Sequence, residues 1–179
     1  MAQSWLPDDA WWNVTAPLTG GTTNRSASLL NRIVDQFDVE HTLRYVPRGG
    51  TTFCNVFLND VTRALACEIN HLEIGAGGPK ELDANKMIEW VTGPTGRRHG
   101  WTECRDAAAA RSAADRGFPT VVTWYNPKGI GHVAMAVPAP LDAPSDGRVY
   151  IAQAGASNFR CGLVSRGFGS LPVRYFTHA

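Results

Sequence analysis

Three residue types that together can carry out acyl transfer follow one another along the chain: Cys54, His132 and Gln153. Cys54 stands between a Gly-rich extended approach, Arg44 to Gly50, and an apolar-striped stretch that reads as a helix. At a helix N-terminus the unpaired amides and the macrodipole favour an anion. A thiol placed there gains thiolate character and becomes a nucleophile. The plainer alternative is that Cys54 is a small buried hydrophobe. His132 follows Gly129-Ile130-Gly131 and opens the apolar run to Val137. Its neighbours of the same parity, Ala134 and Ala136, are small, which predicts close packing of a helix there. That packing would bring Cys54 within hydrogen-bond reach of the imidazole. The alternative is an ordinary turn histidine, which is the reading for His41, His71, His99 and His178. Gln153 sits in Tyr150 to Gly155 between small apolar residues, a setting that calls for a buried polar partner. On a strand next to that of His132 it would orient the ring as a third member. Asn158 competes for that role from what reads as a turn.

The elements that must position these groups can be read from periodicity. Leu29, Leu30, Ile33, Val34 and Phe37 recur at helical spacing over 26–39, with Ser26 or Ser28 as cap. A second helix is predicted from Phe53 or Cys54 to Ile69 or Asn70, with Phe57, Val61, Ala64 and Leu65 inward. Residues 74–80 read as a loop, 82–91 as a short helix, 93–100 as a turn-rich loop and 107–116 as an Ala-rich helix. Strands are predicted over 119–125, 132–137, 148–154 and 173–176. Helices come first and strands second. That order predicts an α+β domain with a mostly antiparallel sheet, not an alternating βαβ fold. The chain reads as one domain over 1–179, with an N-terminal arm over 1–25 and a core over 45–179. Trp5, Trp11 and Trp12 suggest that the arm packs onto the body. Asp60, six residues after Cys54, falls off the Cys54 face and reads as a surface residue or a packing anchor.

Composition narrows the function. With 44% hydrophobic and 18% charged residues and six Trp, disorder is excluded. A net charge of +1 gives no support to nucleic-acid binding through a basic surface. Apolar runs are too short for a membrane helix, so membrane insertion is not expected. Met1 to Leu6 lacks the basic and apolar segments of an export signal, which predicts synthesis in the cytoplasm without one. Cys54, Cys67, Cys104 and Cys161 form no CxxC pair, against a zinc ribbon or a dense disulfide framework.

Thr52-Phe53-Cys54-Asn55-Val56-Phe57 resembles the nucleophile helix start of papain-like cysteine peptidases that cut peptidoglycan, the NlpC/P60 and CHAP families. Gly131-His132-Val133-Ala134-Met135 is similar to their Gly-His-Val strand, and Pro119 to Trp124 to the strand before it. The same core occurs in amidase effectors of type VI secretion. The resemblance spans roughly 45–160. It departs where many NlpC/P60 proteins have Asp before the nucleophile, here Phe53, and where CHAP domains carry an acidic third residue, here Gln153. It implies a papain-like fold with N-terminal helices on an antiparallel sheet. It further implies a Cys54–His132 dyad with Gln153 or Asn158 as third member, the Cys54 amide in an oxyanion hole, and neither metal nor cofactor. Tyr45, Asn55, Asn158 and Trp90 are the candidate substrate contacts, with Arg44, Glu81 and Asn85 as further lining. The implied activity is hydrolysis of an amide bond in peptidoglycan by a monomer. The enzyme would reach the wall or periplasm by holin release or secretion-system delivery, and an immunity protein would be a natural partner. A papain-like deamidase or protease toxin acting on a host protein, and an inactive phage structural or binding module, are the alternatives.

Overall fold

The structure is a computed structural model that describes residues 12–76 and 78–179. Trp5 and Trp11 of the predicted arm lie outside the described residues. From residue 12 the chain runs irregularly to helix α1, Ala27–Asp35, and Val14, Ala16 and Leu18 pack against the core. Ser26 caps α1, its hydroxyl accepting from the Leu29 amide, and Leu30, Ile33 and Val34 turn inward. The helix stops short of the predicted Val39, because Asp38 takes a left-handed backbone (φ 41°).

A 3-10 turn, Leu43–Tyr45, leads to α2, Cys54–Ala64. This helix also ends early. Ala66 is left-handed (φ 54°), the Cys67 amide bonds back to the Thr62 carbonyl, and the Thr62 hydroxyl accepts from the Ile69 amide. The predicted loop over 74–80 is instead part of a hairpin, β1 (Leu72–Gly75) with β2 (Gly78–Glu81). Pro79 is tolerated there because a two-stranded ribbon leaves an outer edge unpaired. Then come α3, Ala84–Thr92, capped by Asp83, and α4, Pro94–Arg98, where a turn-rich loop was expected. Proline at the first position of α4 has no amide to lose, so it opens the helix readily. Helix α5, Ala107–Asp115, is capped by Asp106.

The remaining elements are β3 (Trp101–Glu103), β4 (Thr120–Trp124), β5 (His132–Val137), β6 (Tyr150–Gln153), β7 (Phe159–Leu163), α6 (Val164–Phe168) and β8 (Arg174–His178). Strands β3 and β7 and helix α6 were not anticipated. The six strands form one sheet in the order β3-β8-β4-β5-β6-β7, with every pairing antiparallel. The fold is therefore α+β with an antiparallel sheet. No helix among the described residues is long and apolar enough to cross a membrane.

Each face of the sheet has its own core. Val133, Met135 and Val137 of β5 join Ala152 of β6 under α1, α2 and α3. The alternate residues Ala134 and Ala136 join Ile151, Phe159 and Phe168 against Ala110 and Ala114 of α5. Period-two alternation along β5 thus sorts its large residues to the three-helix layer and its alanines to the α5 side. The two alanines do admit a close helix, but that helix is α5 rather than the one that carries Cys54.

Candidate active site

Cys54 is the first residue of α2 and is 5% exposed. Burial pushes its thiol up to about 11, against the pull of three amides, those of Val133, Asn55 and Cys54 itself. The last two are free because the first amides of a helix have no partner within it. Val133 adds the third from the start of β5. The Glu81 carboxylate acts in the opposite sense and disfavours the thiolate. Donors are thus gathered at the sulfur, but burial holds the resting group as a thiol.

His132 opens β5, and its Nε2 lies 2.8 Å from Gln153 Oε1. The Gln153 amide nitrogen donates to the Ser157 carbonyl at 3.0 Å. A carbonyl only accepts, so this bond fixes which end of the Gln153 amide faces the ring. The ring must then carry its proton on Nε2, leaving Nδ1 with a lone pair. Burial lowers the imidazole pKa, and the Gln153 bond raises it by less. The resting ring is a neutral base. Phe168 lies against it at 4.7 Å between centroids, and a side chain begun at Gly167 would collide with Gln153 Oε1. Helix α6 thus closes over the His132–Gln153 pair.

The sulfur and the ring are not hydrogen-bonded to each other. Here the structure corrects the expectation drawn from Ala134 and Ala136. By register, His132, Ala134 and Gln153 share the face covered by α5 and α6, while α2 lies on the other. Cys54 and His132 approach the start of β5 from the two sides of the sheet. Both stand at its end, where the amide of Val133, the residue after His132, meets the sulfur.

A cleft of about 390 Å³ opens at this end, lined by residues 50–52, Cys54, Asn55, Glu81, Asp83, Ala84, Ile130 and Gly131. Asn55 is 3% exposed and gives its amide hydrogens to Glu81 Oε1 (2.8 Å) and the Leu82 carbonyl (3.1 Å). It ties the nucleophile turn to the end of β2. The other candidate contacts lie elsewhere. Tyr45 is 1% exposed and donates its hydroxyl to Asp60 at 2.7 Å. Arg44 meets the same carboxylate at 2.7 Å, so Asp60 is a buried anchor of α2 rather than a surface residue. Trp90 stacks near His99 beside Cys67 and His178, away from Cys54. Asn158 accepts from the Gly155 amide and donates to the Val39 and Tyr45 carbonyls, so its side chain serves the turn after β6. Among the described residues no group of three or more His, Cys, Asp or Glu is placed to hold a metal ion.

Sequence reasoning missed three contributors. The Val133 amide belongs to the backbone and leaves no mark on residue type. Phe168 and Gly167 lie on a five-residue helix too short to show a period. Compared with known proteins, the chain matches no family model and no curated sequence.

Proposed function

We propose that the protein is a papain-like cysteine hydrolase that cleaves an amide bond in bacterial peptidoglycan. The observation that carries this reading is a cleft-lining thiol at a helix N-terminus that meets the amide of Val133, the residue after an imidazole whose tautomer is fixed by Gln153 on the adjacent strand. The substrate class comes from the likeness of the Cys54 and His132 motifs to the peptidoglycan peptidases.

Thiol and ring both rest uncharged, so the imidazole acts as a general base and no preformed ion pair is needed. A small movement of the ring at the start of β5 brings Nδ1 onto the sulfur, with or without substrate in the cleft. The S–H proton passes to Nδ1 as sulfur bonds to the carbonyl carbon. The amides of Cys54 and Val133 stand beside the sulfur to receive the oxyanion. The Nδ1 proton then goes to the amine as the C–N bond breaks. Water attacks the thioester and gives one proton to Nδ1; the C–S bond then breaks, sulfur takes that proton back, and the carboxylic acid is released. Gln153 keeps Nε2–H bonded throughout, and α6 excludes water from that bond.

Purified sacculi digested with wild-type protein and with Cys54→Ala, the fragments read by mass spectrometry, test this. Cysteine-dependent release of muropeptides is expected, and the fragment masses identify the bond. No release, with Cys54 still reactive to iodoacetamide, would transfer the reading to a deamidase or protease of protein substrates. An uncharged Gln153 beside the ring also suits that class. An inert Cys54 would end the case for catalysis and leave a binding role.

A further inference from the structure

The loop that delivers His132 runs from 125 to 131, contains Gly129 and Gly131, and leaves Ile130 67% exposed. Its own sequence closes only part of it. The Asn126 side chain accepts from the Lys128 amide at 3.1 Å and donates to the Ile130 carbonyl at 3.3 Å. Beyond a Gly129 amide bond to the Asn126 carbonyl and a Tyr125 hydroxyl bond to Glu89, its support comes from Asn85, on the first turn of α3. Asn85 Nδ2 donates to the Asn126 carbonyl (2.9 Å) and the Gly129 carbonyl (2.8 Å), and Oδ1 accepts from the Asn126 amide (3.1 Å). Both amide hydrogens and the carbonyl are used, so this side chain pairs with the Asn126 backbone as a neighbouring strand would. Asp at this position would offer the two carbonyls no donor. Gly131 lies close against the Asn85 side chain, because a side chain begun at Gly131 would meet Asn85 Oδ1 at 2.5 Å.

The same short segment holds the other half of the site. Glu81 and the Leu82 carbonyl accept from Asn55, the residue after the nucleophile. Residues 81–85 therefore form a strut along the cleft, fastened at one end to the Cys54 turn and at the other to the His132 loop. We infer that Asn85 is a positioning residue that sets the alignment of the His132 ring and of the Ile130–Gly131 cleft wall with Cys54. The inference builds on the catalytic reading of Cys54 and His132, but not on the identity of the substrate.

The test uses Asn85→Ala, which removes all three bonds, and Asn85→Asp, which keeps the shape and loses both donors. Iodoacetamide alkylation of Cys54 is followed against pH, with Cys54→Ala subtracting the other thiols. In the wild type the rate at neutral pH depends on the neutral imidazole. An acidic limb is therefore expected below the ordinary histidine range, in addition to the rise as the thiol itself ionises near 11. Both variants should lose the acidic limb and keep the alkaline one. Misplacement by about 1 Å costs about 100-fold, so kcat on a cleaved substrate should fall by about that factor. Hydrogen exchange should quicken at 126–131 and stay unchanged in α2 and β4. An acidic limb and a kcat equal to wild type in either variant would overturn the inference. If both variants unfold, wild-type exchange decides: an unprotected Asn126 amide would overturn it, and a protected one would support it. If wild type leaves sacculi intact while Asn85→Ala still abolishes the acidic limb, the substrate assignment fails and this inference stands.

Discussion

Replacing Gln153 by Glu makes a sharp test of the site because it keeps the shape of the side chain and adds one charge. The imidazole of His132 is held below its ordinary value, chiefly by burial. An opposite charge at 2.8 Å from Nε2 should move it the other way. Such a neighbour shifts a titrating group by about 1 to 3 units, each worth about 1.4 kcal/mol. The Ser157 carbonyl, which now accepts from the Gln153 amide, would favour a protonated Glu. That leaves the proton count unaltered, since the pair holds one shared proton whichever member carries it. The sign for stability then follows. In the wild type, the unfolded chain binds more protons than the native state between the lowered native value and about 6.5, so this group makes stability rise with pH across that window. In the variant, the native pair holds its proton above 6.5, so the same group makes stability fall as pH rises through the raised value. Urea unfolding of both proteins from pH 5.5 to 8, with histidine resonances followed by NMR, measures this. The difference in unfolding free energy should change in the variant's disfavour with rising pH, by about 1 to 4 kcal/mol across the full window. The acidic limb of Cys54 alkylation should move upward with it, because a protonated ring is no base. A stability difference that is flat with pH, or that changes in the opposite sense, would refute the pairing of His132 with Gln153.

Glu81→Gln removes a carboxylate that disfavours the Cys54 thiolate and leaves an oxygen for Asn55, so the alkaline limb of alkylation should move to lower pH. An unmoved limb would show that Glu81 is not felt at the sulfur. Asp60→Ala strips Arg44 and Tyr45 of their common acceptor and leaves a guanidinium in the interior. Urea melts should show a loss of about 3 to 5 kcal/mol, the scale for one partner of a buried ion pair. Gly167→Ala drives a methyl into Gln153 Oε1, so it should abolish the acidic limb of alkylation while the protein still unfolds cooperatively. Asn158→Ala loses three bonds to backbone groups and should lower stability by about 2 to 4 kcal/mol, judged at about 1 kcal/mol each, without shifting that limb.

Local signals in the sequence carried as far as they were strong. Ser26 and the stripe Leu30, Ile33 and Val34 mark α1, and the β4–β5 pair shows in its apolar runs. The start of α2 at Cys54 is legible because an extended approach gives way to an apolar stripe. Its end is not, because the residue that stops it is Ala66, and no residue type announces a left-handed alanine. The hairpin β1–β2 hides behind glycines and a proline that read as punctuation, although Leu72 and Glu81 pair across it in register. Strand β3 spans three residues and owes its conformation to β8, more than seventy positions later. No window of local sequence contains that partner. The same holds for Tyr45 and Arg44, which read as cleft residues until Asp60 accounts for both of them in the interior.

The site itself shows where pattern reading stops. Residue types and order single out Cys54, His132 and Gln153, and parity along two strands places the last two together. Antiparallel register sets Gln153 opposite Ala134, one pair along from His132, and the 2.8 Å bond follows from that diagonal. Parity also separates His132 from the face on which α2 lies, and it does so through Val133, Met135 and Val137, the residues whose size draws α2 to that side. The same apolar alternation therefore seats the nucleophile helix and turns the imidazole away from it. Contact between them depends on the end of the sheet, where β5 begins and strand parity no longer confines the ring. What holds that end is a set of bonds to backbone atoms: Val133 to the sulfur, Asn85 to the loop and Ser157 to Gln153. Backbone groups are the same at every position, so their part in the site emerges only once the chain is folded.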